Sequence, residues 1–268
     1  MIRRPPRSTL DRSSAASDVY KRQALGLASG NCITASDITV INRRQEKADE
    51  LKSANNKINS VANDYSSISN ADIIVLGVKP WMIEDILTSY KDKINNRQII
   101  LSVAAGITLD QLAGWTYPAS PVYRVIPNTA IAIKQSMTFV ASKNATKQQD
   151  DLIISLFNEL GKTLLIEEKL FPAVTSLSSC GIAYAFRYIR AAMEGGVEIG
   201  VKADHAKEIV MQTLQGAIDL LAANQSHPES EIDKVTTPGG ITIKGLNEME
   251  HAGFTSAVIK GLKASNVK

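Results

Sequence analysis

The sequence predicts a doubly wound α/β sheet followed by an all-α domain, on three observations. Between residues 37 and 168, short β-type runs alternate with helical stretches. From about residue 169 the strand pattern stops and helical periodicity takes over. The glycine-rich turn that opens such a sheet is missing, and residues 1–23 stand in its place.

In chain order, DITVIN (37–42) reads as a strand and QEKADELKSAN (45–55) as a polar helix with Ala48 and Leu51 facing inward. INSVAN (58–63) is a weaker strand, and ADIIVLGV (71–78) is an unbroken apolar run of the kind buried on both faces of a parallel sheet. Pro80 suits the first position of a helix running to about residue 94, where its missing N–H costs nothing. QIILSVAAG (98–106) repeats the buried-strand pattern, and Thr108 with Gln111 has capping-box spacing. PVYRVIP (121–127), MTFVAS (137–142) and KTLLIEE (162–168) complete the strands, with Thr146 and Gln149 opening the helix before the last. Residues 172–200, 205–222 and three further stretches are helical, and the small residues Ala191, Ala192, Gly195, Gly196 and Gly200 allow close packing. A helical domain of that size is expected to complete its core against another copy of the chain.

Composition sets the outer bounds. With 44% apolar and 21% charged residues over 268 positions, the chain is ordinary for a folded protein of one or two domains. Its longest mainly apolar run, 71–78, is too short to cross a bilayer. The net charge of +3 is concentrated in residues 1–23, which hold six Lys or Arg against two Asp, so nothing points to a nucleic-acid surface. Those residues have Arg, Ser and Pro instead of apolar periodicity, and they are expected to form a disordered arm. An organelle-targeting segment would share the Arg and Ser but not the Pro5–Pro6 pair, and a translated adapter joined to the coding sequence is the favoured reading. Cys32 and Cys180 lack any C-x-x-C spacing, so no metal site is expected and a reducing cytoplasm is the default.

Four features can carry chemistry. At the end of the 37–42 strand stand Asn42, Arg43 and Arg44 with Lys47 one turn on, where a carboxylate would select ribose hydroxyls. A solvated cluster fits the same residues, but cations at a helix start oppose its dipole, which favours a 2′-phosphate partner and hence NADPH, with NADH the weaker alternative. GVKP (77–80) and SVAAGI (102–107) close two central strands where ligands of open sheets bind, and Ala104, Ala105 and Gly106 leave room for a flat ring within reach of Lys79. Read as structure alone, these are tight turns. In VTTPGGITIKGL, from Val235, a glycine-rich turn empties into a helix N-terminus, a site for a carboxylate on backbone N–H groups, with Thr237 and Thr242 as hydroxyl partners.

Together these segments resemble pyrroline-5-carboxylate reductases, from about Ala24 to the C-terminus: NRRQEKADEL, ADIIVLGVKP, SVAAGI, YRVIPNTA, SSCGIAYAFRYIRAAMEGGVEIG and the Pro-Gly-Gly turn. The resemblance implies a Rossmann-like NADP-binding domain over 24–168, a helical dimerisation domain over 169–268, and NADPH-dependent reduction of 1-pyrroline-5-carboxylate to L-proline. It implies Arg43 and Arg44 at the NADP phosphate with Asn42 beside them among the cofactor residues, Asn63 by the adenosine, Val78, Lys79, Pro80 and Ala104–Gly106 along the cofactor, and Asn128 near the nicotinamide. Gly239, Gly240 and Thr242 would hold the substrate, Thr242 as the catalytic hydroxyl, with Ser178 and Ser179 nearby. The chain departs from the family in lacking the first strand and its Gly-x-Gly-x-Met-Gly turn, and in Ala130, Cys180, Ile182, Gln225 and Ile241. Loss of that strand is expected to expose both neighbouring strand edges and weaken folding. A hydroxy-acid reductase of the same build would want a lysine in 172–200, which has none. A chain that only dimerises is the third reading. His205, His227, His251 and the Glu167–Glu168 pair read as solvated, Cys180 as packing, and Trp81 and Trp115 as core or interface.

Overall fold

The computed structural model describes residues 21–266. The disordered arm expected over 1–23 lies outside these residues, except for its last three, which are helical. Residues 21–28 form helix α1, and Gln23 is buried. Leu25, Leu27 and Ala28 pack against apolar clusters, and a helix held there extends toward its N-terminus at little further cost. Two compact units divide at Val174 and Thr175. The expected division at 168–169 comes earlier in the chain, whereas Phe171, 1% exposed, belongs to the first unit's core.

The first unit contains β1 (Thr39–Asn42), α2 (Gln45–Ala54), β2 (Asn59–Ala62), β3 (Ile73–Leu76), α3 (Ile83–Ser89), β4 (Ile99–Ser102), α4 (Leu109–Trp115), β5 (Val122–Ile126), β6 (Ser136–Lys143), α5 (Lys147–Asn158) and β7 (Gly161–Leu165). Both capping boxes form: Thr108 accepts from the Gln111 N–H at 3.2 Å and Thr146 from Gln149 at 3.3 Å. Pro80 opens a short 3-10 turn, Pro80–Met82, ahead of α3. The helix expected to run to residue 94 stops at Ser89, where Tyr90 stacks on Tyr65 with ring centroids 4.3 Å apart.

The strands make two sheets: β1-β2, and β3-β4-β5-β6-β7. Every pairing is parallel except β5 with β6. The link between those strands, residues 127–135, carries a 3-10 turn and no α-helix, so the chain reverses instead of crossing over. Among the described residues, β1 and β3 each pair on one side only, as expected from the absence of the family's first strand.

Alternation along the buried strands sorts side chains to two faces. Ile100 and Val122 meet Ile83 and Leu87 of α3 and Leu109 and Leu112 of α4. Ile99, Leu101, Tyr123 and Val125 meet Ile153, Leu156 and Phe157 of α5. Each fully buried aliphatic side chain of this kind contributes about 1.5–3 kcal/mol.

The first unit ends in α6 (Phe171–Thr175), and the second is helical throughout: a π-helical turn, Ser176–Cys180, leads into α7 (Gly181–Glu198), followed by α8 (Ala203–Asn224), α9 (Pro228–Val235), α10 (Ile241–His251) and α11 (Phe254–Ser265). The Tyr184 hydroxyl donates to the Gly261 carbonyl at 3.2 Å, and Tyr188 meets Phe254 edge to face, so α11 is tied to α7. Large apolar side chains stay exposed, including Phe186 at 66% and Ile218 at 59%. Taken alone, the unit does not close a core of its own. Among the described residues no helix is long and apolar enough to cross a membrane.

Candidate active site

In the first unit, the expected cofactor residues all follow the carboxyl ends of β1 to β5, which is where open α/β sheets receive ligands. Asn42 ends β1 and Arg44 is the N-cap of α2, with no side-chain hydrogen bond closing that helix start. The turn after β2 holds this corner: the Asn63 N–H donates to the Asn42 carbonyl at 2.9 Å and its Nδ2 to the Arg43 carbonyl at 3.0 Å. Asn63 takes the left-handed φ of 53° to do so, a conformation asparagine tolerates better than most residues. Arg43 and Arg44 are exposed and have no acidic partner within salt-bridge distance among the described residues, while Lys47 is engaged by Glu50 at 2.8 Å. The Asn42 Nδ2 is buried and has no acceptor. Two guanidinium groups, an orphaned amide donor and an uncapped helix N-terminus together suit a phosphorylated ribose.

The neighbouring strands leave a floor beside that corner. Lys79 is extended and leads into Pro80, with Val78 half-buried before it. Ala104 is buried while Ala105 and Gly106 are exposed, and Gly106 has a φ of 84° with open space where a Cβ would stand. A side chain there would be strained and would occupy that space. After β5, Asn128 caps a 3-10 turn, Thr129–Ile133, by accepting from the Ala130 N–H at 3.0 Å, and its own N–H donates to the Ser136 hydroxyl at 3.1 Å. Ser136 in turn meets Thr138 at 3.0 Å, both buried. The sequence reading missed this hydroxyl pair behind Asn128, although polar residues spaced two apart in an apolar strand were the available signal.

In the second unit, Thr237–Gly240 form a tight turn in which the Gly240 N–H donates to the Thr237 carbonyl at 2.9 Å and Gly239 has a φ of 74°. Gly240 is the N-cap of α10 and makes no side-chain cap, so the first N–H groups of that helix, Thr242 among them, have no intrahelical partner. A Cβ on Gly240 would come within 2.6 Å of the Thr237 Oγ1. Thr242 is exposed on the first turn. Ser178 and Ser179 sit in the π-helical turn, which packs against α11; such one-turn insertions often mark functional positions.

Other expectations change. Glu168 is not a merely solvated acid: its Oε1 accepts from the Leu109 N–H at 2.8 Å and from Arg124 at 3.2 Å, and Arg124 also lies over the Phe171 ring at 4.4 Å. Trp81 is 74% exposed and so is not core, because Ile83 and Leu87, one turn on, take the buried face. The three histidines are exposed, and His227 additionally caps α9 by accepting from the Glu229 N–H at 3.3 Å. A concavity of about 540 Å3 lined by Ala28, Gly30, Ile33, Ala35, Ser36 and Lys57 lies toward the amino end of β1 and contains none of the expected site residues.

Residues 22–106 match the family described as NADP oxidoreductase, coenzyme F420-dependent, and residues 168–268 match that described as pyrroline-5-carboxylate reductase dimerisation. The chain is 37% identical over 257 residues to pyrroline-5-carboxylate reductase 1 of Dictyostelium discoideum, covering 91% of this chain and 46% of that protein, so it spans about half of that relative's length. To pyrroline-5-carboxylate reductase 2 of the same organism it is 36% identical over 260 residues, covering 91% and 87%. The solved structure of a pyrroline-5-carboxylate reductase from Coxiella burnetii superposes with a TM-score of 0.85 at 25% identity, over 94% of this chain and 93% of that one. With both domains matched in order and 36% identity sustained over 91% of its length, the chain belongs to the pyrroline-5-carboxylate reductase family.

Proposed function

We propose that this chain reduces 1-pyrroline-5-carboxylate to L-proline with NADPH, the last step of proline biosynthesis. The observation that carries the reading is the bare N-terminus of α10 behind the Gly239–Gly240 turn. Backbone N–H groups there meet a carboxylate with the favourable end of the helix dipole. Gly239 and Gly240 hold the substrate carboxylate, and the Thr237 hydroxyl closes the turn's other side. The Thr242 hydroxyl hydrogen-bonds at the imine nitrogen and keeps it protonated and oriented, while Ser178 and Ser179 supply further polar contact. A protonated cyclic imine accepts hydride readily, so orientation matters more here than a strong acid.

NADPH supplies the hydride when bound. Arg43 and Arg44 hold its 2′-phosphate, Asn42 and Asn63 the adenosine end, Val78, Lys79, Pro80, Ala104, Ala105 and Gly106 its length, and Asn128 the nicotinamide. NADH lacks the phosphate the two arginines grip and binds more weakly. The exposed apolar side chains of the helical unit, Phe186 and Ile218 among them, support a homodimer formed through that unit, on which a larger oligomer can build. The proposed compartment is the cytoplasm, where both cysteines stay reduced. Incubating the chain with NADPH and 1-pyrroline-5-carboxylate should consume NADPH and release proline in equal amounts. Bound NADPH without any proline formed would overturn the reading.

A further inference from the structure

Antiparallel pairing brings the start of β6 to the carboxyl end of β5. The ladder between them closes with Ile126 opposite Phe139, and Pro127 follows with no N–H to give. The next donor, the Asn128 N–H, goes to a side chain in place of the ladder: the Ser136 hydroxyl accepts it at 3.1 Å. That hydroxyl lies 3.0 Å from the Thr138 Oγ1, two residues on and so on the same face of β6. Both residues are closed to solvent, at 2% and 0% exposure.

Ser136 is itself fixed by β7. Its N–H donates to the Leu160 carbonyl at 2.9 Å, and it stands in register with Gly161. Gly161 has a φ of 140°, and a Cβ there would overlap the Ser136 backbone, so the two strands can approach this closely only with glycine at that position. In the other direction Asn128 passes the constraint on. Its Oδ1 accepts from the Ala130 N–H at 3.0 Å and its carbonyl from the Ile131 N–H at 3.2 Å, and Ile131 is buried in the cluster that β5 and β6 share with α5. Burying two hydroxyls costs free energy that an apolar pair of the same size would avoid. What the hydroxyls add is a defined position for Asn128.

We propose that Ser136 is a positioning residue for the nicotinamide end of the cofactor: its hydroxyl, oriented by Thr138, sets Asn128 at the carboxyl edge of the sheet. The proposal rests on the reading that NADPH lies along that edge with its nicotinamide at Asn128. Arg43 and Arg44 follow β1, in the other sheet, so Ser136 acts on the nicotinamide half of the cofactor and not on its phosphate end. Without the hydroxyl the Asn128 N–H loses its acceptor and the turn after it relaxes. Hydride transfer is sensitive to that, since misplacing a reacting group by about 1 Å can cost about a hundredfold in rate.

The test compares two ligands by calorimetric titration: NADPH, and adenosine 2′,5′-bisphosphate, which carries the phosphate end without the nicotinamide. Ser136→Ala should weaken NADPH by about threefold to tenfold and leave the bisphosphate unchanged. Thr138→Val keeps the shape of its side chain and removes the partner of the Ser136 hydroxyl, so it should do the same to a smaller degree. Ser136→Cys, whose sulfur is a weak acceptor, should recover part of the loss. At saturating NADPH, kcat should fall by about tenfold to a hundredfold in Ser136→Ala, with little change in KM for 1-pyrroline-5-carboxylate. Tyr123→Phe, which loses one buried hydrogen bond elsewhere on β5, is the control and should lower stability while altering neither ligand. The proposal fails if the two ligands weaken alike, if neither changes, or if Ser136→Ala behaves as Tyr123→Phe does. The ligand comparison needs no turnover: should the ligands separate as expected while the unaltered chain forms no proline, the reductase reading fails and the positioning role stands.

Discussion

The Glu168 carboxylate bonds two segments far from it in sequence through one oxygen: Oε1 lies 3.2 Å from the Arg124 Nη1 in the middle of β5 and 2.8 Å from the Leu109 N–H that starts α4. Arg124 is held in turn over the Phe171 ring. Replacing Glu168 with Ala removes the acceptor from a guanidinium whose side chain is only 14% exposed and leaves the Leu109 N–H unmatched. A loss of about 1–3 kcal/mol is expected, seen as a lower urea midpoint. Glu168→Gln, which keeps the carbonyl acceptor, should lose less.

Among the described residues, Arg43 and Arg44 make no salt bridge at the bare start of α2, where Lys47 takes Glu50. Changing both to Ala should weaken NADPH binding by about tenfold to a hundredfold, as expected for losing charge-assisted hydrogen bonds, and leave NADH binding nearly unchanged. Calorimetric titration of both cofactors separates the cases. An equal loss for NADH would mean the arginines act through the fold.

Gly240 and Thr242 share one corner but should fail differently. Gly240→Ala brings a methyl to 2.6 Å from the Thr237 Oγ1 and 3.0 Å from its carbonyl, so the turn must open and KM for 1-pyrroline-5-carboxylate should rise. Thr242→Ala leaves the exposed helix start intact and should lower kcat by about tenfold or more, with little change in thermal stability and partial recovery in Thr242→Ser. Unchanged turnover in Thr242→Ala would remove this hydroxyl from the mechanism.

Tyr123 is fully buried, with its hydroxyl 2.9 Å from the Asp150 Oδ1, and burial followed by that carboxylate pushes its pKa far above the ordinary tyrosine value. The folded state therefore holds this proton more tightly than the unfolded chain does. The sign follows: the contribution is intact below about pH 10, where unfolded tyrosine titrates, and is lost as the pH rises above it. Tyr123→Phe should flatten that alkaline fall in stability and cost about 0.5–1.5 kcal/mol near neutral pH, with kcat unaffected.

Much of this was legible from residues close in sequence. The capping boxes at Thr108 and Thr146 close within three positions, and the apolar run at 98–106 identifies β4, buried on both faces; the run at 71–78 gives β3, but of its residues only Leu76 is buried and Val75 is 48% exposed, against the expectation. The helix-opening turn at Gly239 and Gly240 is equally local, because positive φ and a missing side-chain cap are properties of the residue itself. That β1 and β3 pair on one side only among the described residues followed from counting strands.

What the tertiary structure alone decided involves partners that sequence spacing does not encode. Glu168 reads as a surface acid until Arg124 and Leu109, 44 and 59 positions away, are brought to it. The reversal of β6 depends on whether a short linker crosses the sheet or turns back, and apolar alternation is the same for both directions. The π-helical turn under Ser178 and Ser179 adds one residue to a helical turn without changing its composition. Ser136 and Thr138 acquire a role only because β6 returns beside Asn128. Local hydrogen bonds and side-chain patterning act within about four residues and can be read in order along the chain. Pairing direction, charge partners and the exposure of Val75 depend on which distant segments arrive, and only the folded chain states that.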